Sequence, residues 1–232
     1  MDVVYGREED RAGPILQLFL SYYFILTEGT DVTASSEGTT LDSAVAGGVA
    51  AAPPPTQRSD PADGELPHDL VLAMRGLYRQ AGVATTRAPE REQESGEYGA
   101  CRLHLEGRVV VFRVARTTPT KTGQFVTLWK RPAPSDPIAP LDSGDGIDLV
   151  IVSVADATRR GQFVFDQQAL LRHGVMSRDG QGGKRAIRVY PPWSAPVAKD
   201  AIKTQQWQLR HFVALAPADA DAAVRLRQLL GA

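Results

Sequence analysis

The sequence predicts an α+β fold, with strands between helical ends and a disordered N-terminal segment in front. Three observations predict it. Apolar residues recur at helical spacing just after Pro67 and again near the C-terminus. Between those stretches the period changes to two, which is the signature of strands. Residues 27–66 show neither period.

The elements follow in chain order. Leu70, Val71, Met74, Leu77, Tyr78 and Ala81 line one side of a helix, with Pro67 suited to its start and Gly82 to its stop. Residues 88–98 are polar and acidic and read as a connection. Cys101, Leu103 and Leu105 alternate with Arg102, His104 and Glu106, and Glu106-Gly107 reads as a hairpin turn into a strand over Val109–Arg116. Phe125–Arg131 is a third strand, reached through a Thr117–Gln124 loop. Residues 132–147 hold four prolines and form a loop. Asp148–Val154 is nearly all apolar, as a strand covered on both faces must be. Gly161–Phe165 is a strand, Gln167–Arg172 a short helix, and Lys184–Tyr190 a strand that stops at Pro191-Pro192. Residues 198–206 read as helix, 207–215 as strand, and Pro217–Leu230 as a final helix with Asp219 and Asp221 at its positive end.

The chain has 232 residues, and its 43% apolar content allows a sizeable core. A single cysteine, Cys101, rules out an intrachain disulfide, so the simplest home is the reducing cytoplasm. Cys101 itself reads as a small buried hydrophobe. No two of His68, His104, His173 and His211 are spaced like metal ligands. No metal or other cofactor is expected. The longest apolar run, Ile15–Leu26, is shorter than the roughly 20 residues a membrane span needs. It follows acidic rather than basic residues, so it does not read as a secretory signal. No membrane span is expected. Residues 27–66 are rich in Gly, Ala, Ser, Thr, Asp and Pro and cannot bury enough apolar area to offset their ordering entropy. The reading is therefore a disordered extension over 1–66 and a domain over 67–232.

The overall charge of −1 hides an asymmetry. Residues 1–66 carry three basic and eleven acidic residues, a formal charge of −8, and residues 67–232 carry 23 and 16, a formal charge of +7. A basic domain behind an acidic tail suggests an anionic partner. A solubility balance explains the same numbers equally well.

Several runs carry a family resemblance. They are Glu97-Tyr98-Gly99-Ala100, FRVARTTPTKTGQFVTLWKR (Phe112–Arg131), GIDLVIVSV (Gly146–Val154), GQFVFDQQALLRHGVMS (Gly161–Ser177), KRAIRVYPPW (Lys184–Trp193) and KTQQWQLRHF (Lys203–Phe212). Across about residues 67–215 the chain resembles the MepB-like family. That resemblance implies a mixed β-sheet flanked by helices, similar to the PD-(D/E)xK core of restriction endonucleases. It also implies a nucleic-acid-facing ancestry, which is weak evidence for function by itself.

A nuclease of that class needs two or three carboxylates around Mg²⁺ and a nearby lysine. Where the acid-x-Lys triplet belongs, this chain has Val114-Ala115-Arg116. Arginine stays protonated and is a poor base. Glu94, Glu97, Glu106, Asp142, Asp145 and Asp148 remain for a site assembled from loops, though such acids more often cap turns. The expectation is a protein that binds nucleic acid without cutting it, with a divergent Mg²⁺-dependent nuclease or a small-anion binder as alternatives. No catalytic residue is assigned.

The basic residues supply the expected phosphate contacts: Arg113, Arg116, Lys121, Lys130, Arg131, Lys184, Arg185, Arg188 and Lys203. Thr118 and Thr120 in the Thr117–Gln124 loop add hydroxyls beside Lys121, although a rigid proline-containing turn explains that loop as well. Tyr190 and Trp193 are the candidate stacking rings, while Trp129 and Trp207 read as core. Affinity should fall steeply with salt, as neutralising roughly four to eight phosphates requires. The oligomeric state is left open by the sequence.

Overall fold

The computed structural model describes residues 66–216 and 220–231. Residues 1–65, with the apolar run Ile15–Leu26 and nearly all of the expected N-terminal extension, lie outside the described residues.

Helix α1 (His68–Ala73) runs on into a π-helical turn (Met74–Tyr78) and buries Leu70, Ala73, Leu77 and Tyr78. The apolar spacing after Pro67 predicts this face, and Pro67 sits at the cap. The polar stretch that reads as a connection is partly a strand, β1 (Thr85–Arg91). It is irregular, with register shifts on both sides of Arg87, and it lies at the sheet edge. Such an edge tolerates Pro89 and charged side chains, and this removes the alternation that would have revealed it.

β2 (Cys101–Leu105) and β3 (Arg108–Val114) form the expected hairpin. Glu106 and Gly107 both have positive φ, 52° and 79°, the backbone that a tight two-residue turn requires. β3 then pairs in parallel with β8 (Leu149–Ala155), the predicted central strand, in which every residue from Leu149 to Val154 is buried. β9 (Arg160–Asp166) and β11 (Phe212–Ala216) complete a six-stranded mixed sheet in the order β1-β2-β3-β8-β9-β11.

A second sheet differs from the expectation. The Thr117–Gln124 segment is a hairpin of β4 (Arg116–Thr118) and β5 (Lys121–Thr127), and β10 (Ala186–Val189) pairs with β5 on its other side. Threonines at 117, 118, 120, 122 and 127 suit strands, and the β10 partner that fixes them lies some sixty residues further on. The predicted strand Phe125–Arg131 ends early. Trp129–Lys130 (β6) turns away to pair with Ala139–Pro140 (β7).

Helix α2 (Gln167–Arg172) falls where the sequence places it, with Asp166 Oδ1 accepting the Ala169 N–H at 2.6 Å. Helices α3 (Lys199–Gln208) and α4 (Ala220–Leu230) close the chain. Two cores result, one on each face of the large sheet. α1 and α4 pack Leu70, Leu77, Leu226 and Leu230 against Leu103, Phe112, Ile151 and Val164. On the other face, Val150, Val152, Phe163 and Phe165 meet Val126, Ile187 and Val189 of the small sheet and Leu170 of α2. Among the described residues no helix is long and apolar enough to cross a membrane.

Candidate functional site

An open cleft of about 830 Å³ lies between β10, the end of α2 and one face of α3. Arg172 and His173 line it from α2, Lys184 and Arg188 from β10 and its approach, and Lys203 and Arg210 from α3 and the turn after it. Asp200 is the acidic residue in the lining. Among the described residues, none of the ion pairs involves these five cations.

Two glutamines fix α3 against the sheet. Gln208 is fully buried at the open edge of β10. Its Oε1 accepts the Tyr190 N–H and its Nε2 donates to the Arg188 carbonyl, both at 2.9 Å. One side-chain amide thus stands in for a neighbouring strand and satisfies backbone groups that would be costly to leave unpaired. Gln205 donates to the carbonyls of Pro191 and Ser194 at 3.2 and 2.8 Å. With the helix held this way, Lys203, Trp207 and Arg210 follow one another at i, i+4 and i+7 along the cleft.

Trp207 lies parallel to His173 with ring centroids 4.0 Å apart, and it also meets Phe165 at 5.3 Å and His211 edge-on at 6.2 Å. Desolvation, followed by Arg172 and Arg210, holds the His173 imidazole below its ordinary pKa. Neutral His173 is thus the favoured partner for the indole.

The remaining candidates are dispersed. Arg113 is 1% exposed, so the structure removes it from the set of surface contacts. Its guanidinium pairs with Glu92 at 2.5 Å and donates to the Phe112 carbonyl, while its Nε has no partner among the described residues. The fold consumes this charge because β3 is covered on both faces. Lys130 pairs with Asp145, and Arg131 pairs with Glu94 at 2.7 Å while lying over Trp129. Tyr190 is buried against Gly123, where a Cβ would come within 2.6 Å of its ring. Trp193 is edge-on to Phe212, with Arg159 over its face. Lys121 and Thr120 are exposed at the hairpin tip, and Arg185 is exposed beside the cleft without lining it.

The hairpin is not the anion cradle that its composition suggests. The Thr118 hydroxyl accepts from Arg188 at 2.7 Å, and the carbonyls of Lys121, Thr122 and Gly123 also face that guanidinium. The arrangement holds a cation. Arg116 is exposed, donates to the Glu97 carbonyl and lies over the Tyr98 ring.

Five of the six acids weighed for a nuclease site, all but Glu97, have hydrogen-bond or ion-pair partners of their own. Glu106 accepts the Ala84 N–H and Asp148 the Val109 N–H. Asp142 accepts from Ser177 Oγ and the N–H groups of Gly144 and Gly180, which hold its carboxyl down at about 2. Among the described residues no three His, Cys, Asp or Glu side chains are grouped to hold a metal ion. Cys101 is buried as expected, and burial pushes its thiol up to about 11.

Sequence reading missed Arg172, His173, Trp207 and Arg210. The signal was present for the last two, because Lys203, Trp207 and Arg210 share a helical face if the helix is carried past residue 206. Arg172 joins them through packing between elements distant in sequence, which no local pattern encodes.

Fold and site together define an α+β protein with a mixed sheet and an open cationic cleft at one end of its smaller sheet. The chain belongs to the MepB-like family, whose model matches residues 92–214. It is similar to the crystal structure of MepB, with 27% sequence identity and a TM-score of 0.56. The alignment covers 65% of this chain and 97% of that one. No curated protein matches the chain at a significant level.

Proposed function

We propose that this protein binds nucleic acid through phosphate contacts in the cleft between β10, α2 and α3, without strong sequence preference. The observation that carries the reading is the uneven charge of the lining. Arg172, Lys184, Arg188, Lys203 and Arg210 face Asp200 alone, and none of the five is in an ion pair among the described residues. Four of the five are exposed and Arg188 is half-buried, and cations without carboxylate partners raise the local potential and attract a polyanion. Among the described residues no recognition helix is apparent, and phosphate contacts position a strand without reading its bases. Descent from a nuclease-like core would be compatible with such a surface, and the scattered carboxylates leave binding as the better-supported reading.

The test is fluorescence anisotropy with a labelled oligonucleotide across a salt series. Engagement of about four phosphates gives a slope near −3 for log K against log salt. Lys203→Glu with Arg210→Glu should abolish binding while leaving the melting temperature nearly unchanged. A flat salt response, or a charge-reversed variant that binds as the parent does, overturns the reading.

A further inference from the structure

The outer face of the small sheet continues the cleft, and its residues are of a different kind. Register places Arg188 of β10 opposite Phe125 of β5, and Phe125 opposite Arg116 of β4. Arg188, Phe125 and Arg116 therefore form one row across three strands. The row lies on the face away from the core, because Gln124, Val126 and Leu128 take the buried positions of the alternation and Phe125 does not. The Arg188 guanidinium lies 5.9 Å from the Phe125 ring centroid. Tyr98 meets Phe125 edge-on at 6.2 Å, and Arg116 lies 5.9 Å from the Tyr98 centroid. Arg188 is common to this row and to the cleft lining.

We propose that this row is a stacking platform for the bases of a single-stranded nucleic acid whose phosphates lie in the cleft. The proposal rests on the cleft reading and deepens it from any nucleic acid to an unpaired strand. Each guanidinium lies over a ring on this sheet face, and such ring–guanidinium pairs offer planar π-surfaces to bases of any identity. Paired bases in a duplex are stacked on each other and cannot reach such a face. Two strand spacings, about 10 Å, separate the backbones that carry Arg188 and Arg116, so one base fits between two cations. The platform is preformed. Arg188 is anchored by Thr118 and the hairpin carbonyls, and Arg116 by the Glu97 carbonyl, so little side-chain freedom remains to be lost on binding.

Three labelled probes of about 15 nucleotides test it: an oligothymidylate, an abasic strand of equal length, and the oligothymidylate annealed to its complement. The oligothymidylate should bind about tenfold tighter than either of the others. Phe125→Leu keeps apolar cover beneath Arg188 and should bring the oligothymidylate down to the abasic level while leaving abasic affinity within about twofold. Phe125→Trp should preserve the preference. Equal affinity for the oligothymidylate and the abasic strand, or a preference that survives Phe125→Leu, overturns the platform. Loss of the platform alone still leaves a salt-dependent affinity that Lys203→Glu and Arg210→Glu abolish. Absence of binding to all three probes overturns the cleft reading as well.

Discussion

The strand face around Arg113 and the cleft around Lys203 are both rich in cations, and they use them in opposite ways. On β3, Arg113 is sealed between the sheet and its cover, paired with Glu92, while Arg102 shares the same carboxylate at 3.2 Å. Burial even holds the Arg113 guanidinium below its ordinary pKa, opposed by Glu92. In the cleft, Lys203 and Arg210 stay in water and no described carboxylate forms an ion pair with them. A charge inside a fold is tied to its partner because desolvation would otherwise destabilise it. A charge left exposed without a partner costs the fold little and is available to a ligand.

Substitutions separate the two regions, and the interior should give the largest effect. Glu92→Ala strands the Arg113 charge and should lower stability by about 3 kcal/mol in urea unfolding. An unchanged midpoint would mean that water reaches Arg113, and the contrast between regions would collapse. Gln208→Ala comes next. It removes both hydrogen bonds at the edge of β10 and leaves the Tyr190 N–H and the Arg188 carbonyl without their partner, for a loss of about 2 kcal/mol. That variant should also weaken oligonucleotide binding, since α3 carries Lys203 and Trp207.

Asp142 gives a smaller, pH-gated effect. Its folded pKa, about 2, is below the ordinary aspartate value of 3.8, so its contribution is present above that value and is lost as pH falls from about 4 through 2. Acid titrations followed by tryptophan fluorescence should show a shallower acid limb in Asp142→Asn than in the parent. Identical limbs would show that the hydrogen bonds from Ser177, Gly144 and Gly180 contribute nothing to the folded state. The smallest expected change is the stability of Lys203→Ala combined with Arg210→Ala, within about 0.5 kcal/mol of the parent. A larger loss would place these two residues with Arg113 as structural cations.

The elements that local pattern revealed are those with a strong period or a definite cap. Asp148–Val154 announces a strand buried on both faces, the Cys101–Leu105 alternation a half-buried one, and Gln167–Arg172 the short helix α2. β1 and the β4–β5 hairpin stayed hidden because their strand character comes from partners. β1 is held at an edge by β2, and β5 is held by β10, which lies about sixty residues away.

By itself the sequence determined the α+β class, the central strand, the burial of Cys101, the excess positive charge after residue 66 and the MepB-like resemblance. Each of these is a property of neighbouring residues or of a simple sum. Only the tertiary structure decided which cations the fold consumes and which it leaves in water, since that depends on the acid or the covering layer that packing brings to each one. Arg113 and Arg116 stand three residues apart on one stretch of chain. One is interior and paired, the other exposed on a sheet edge, and that difference is made by elements distant in sequence.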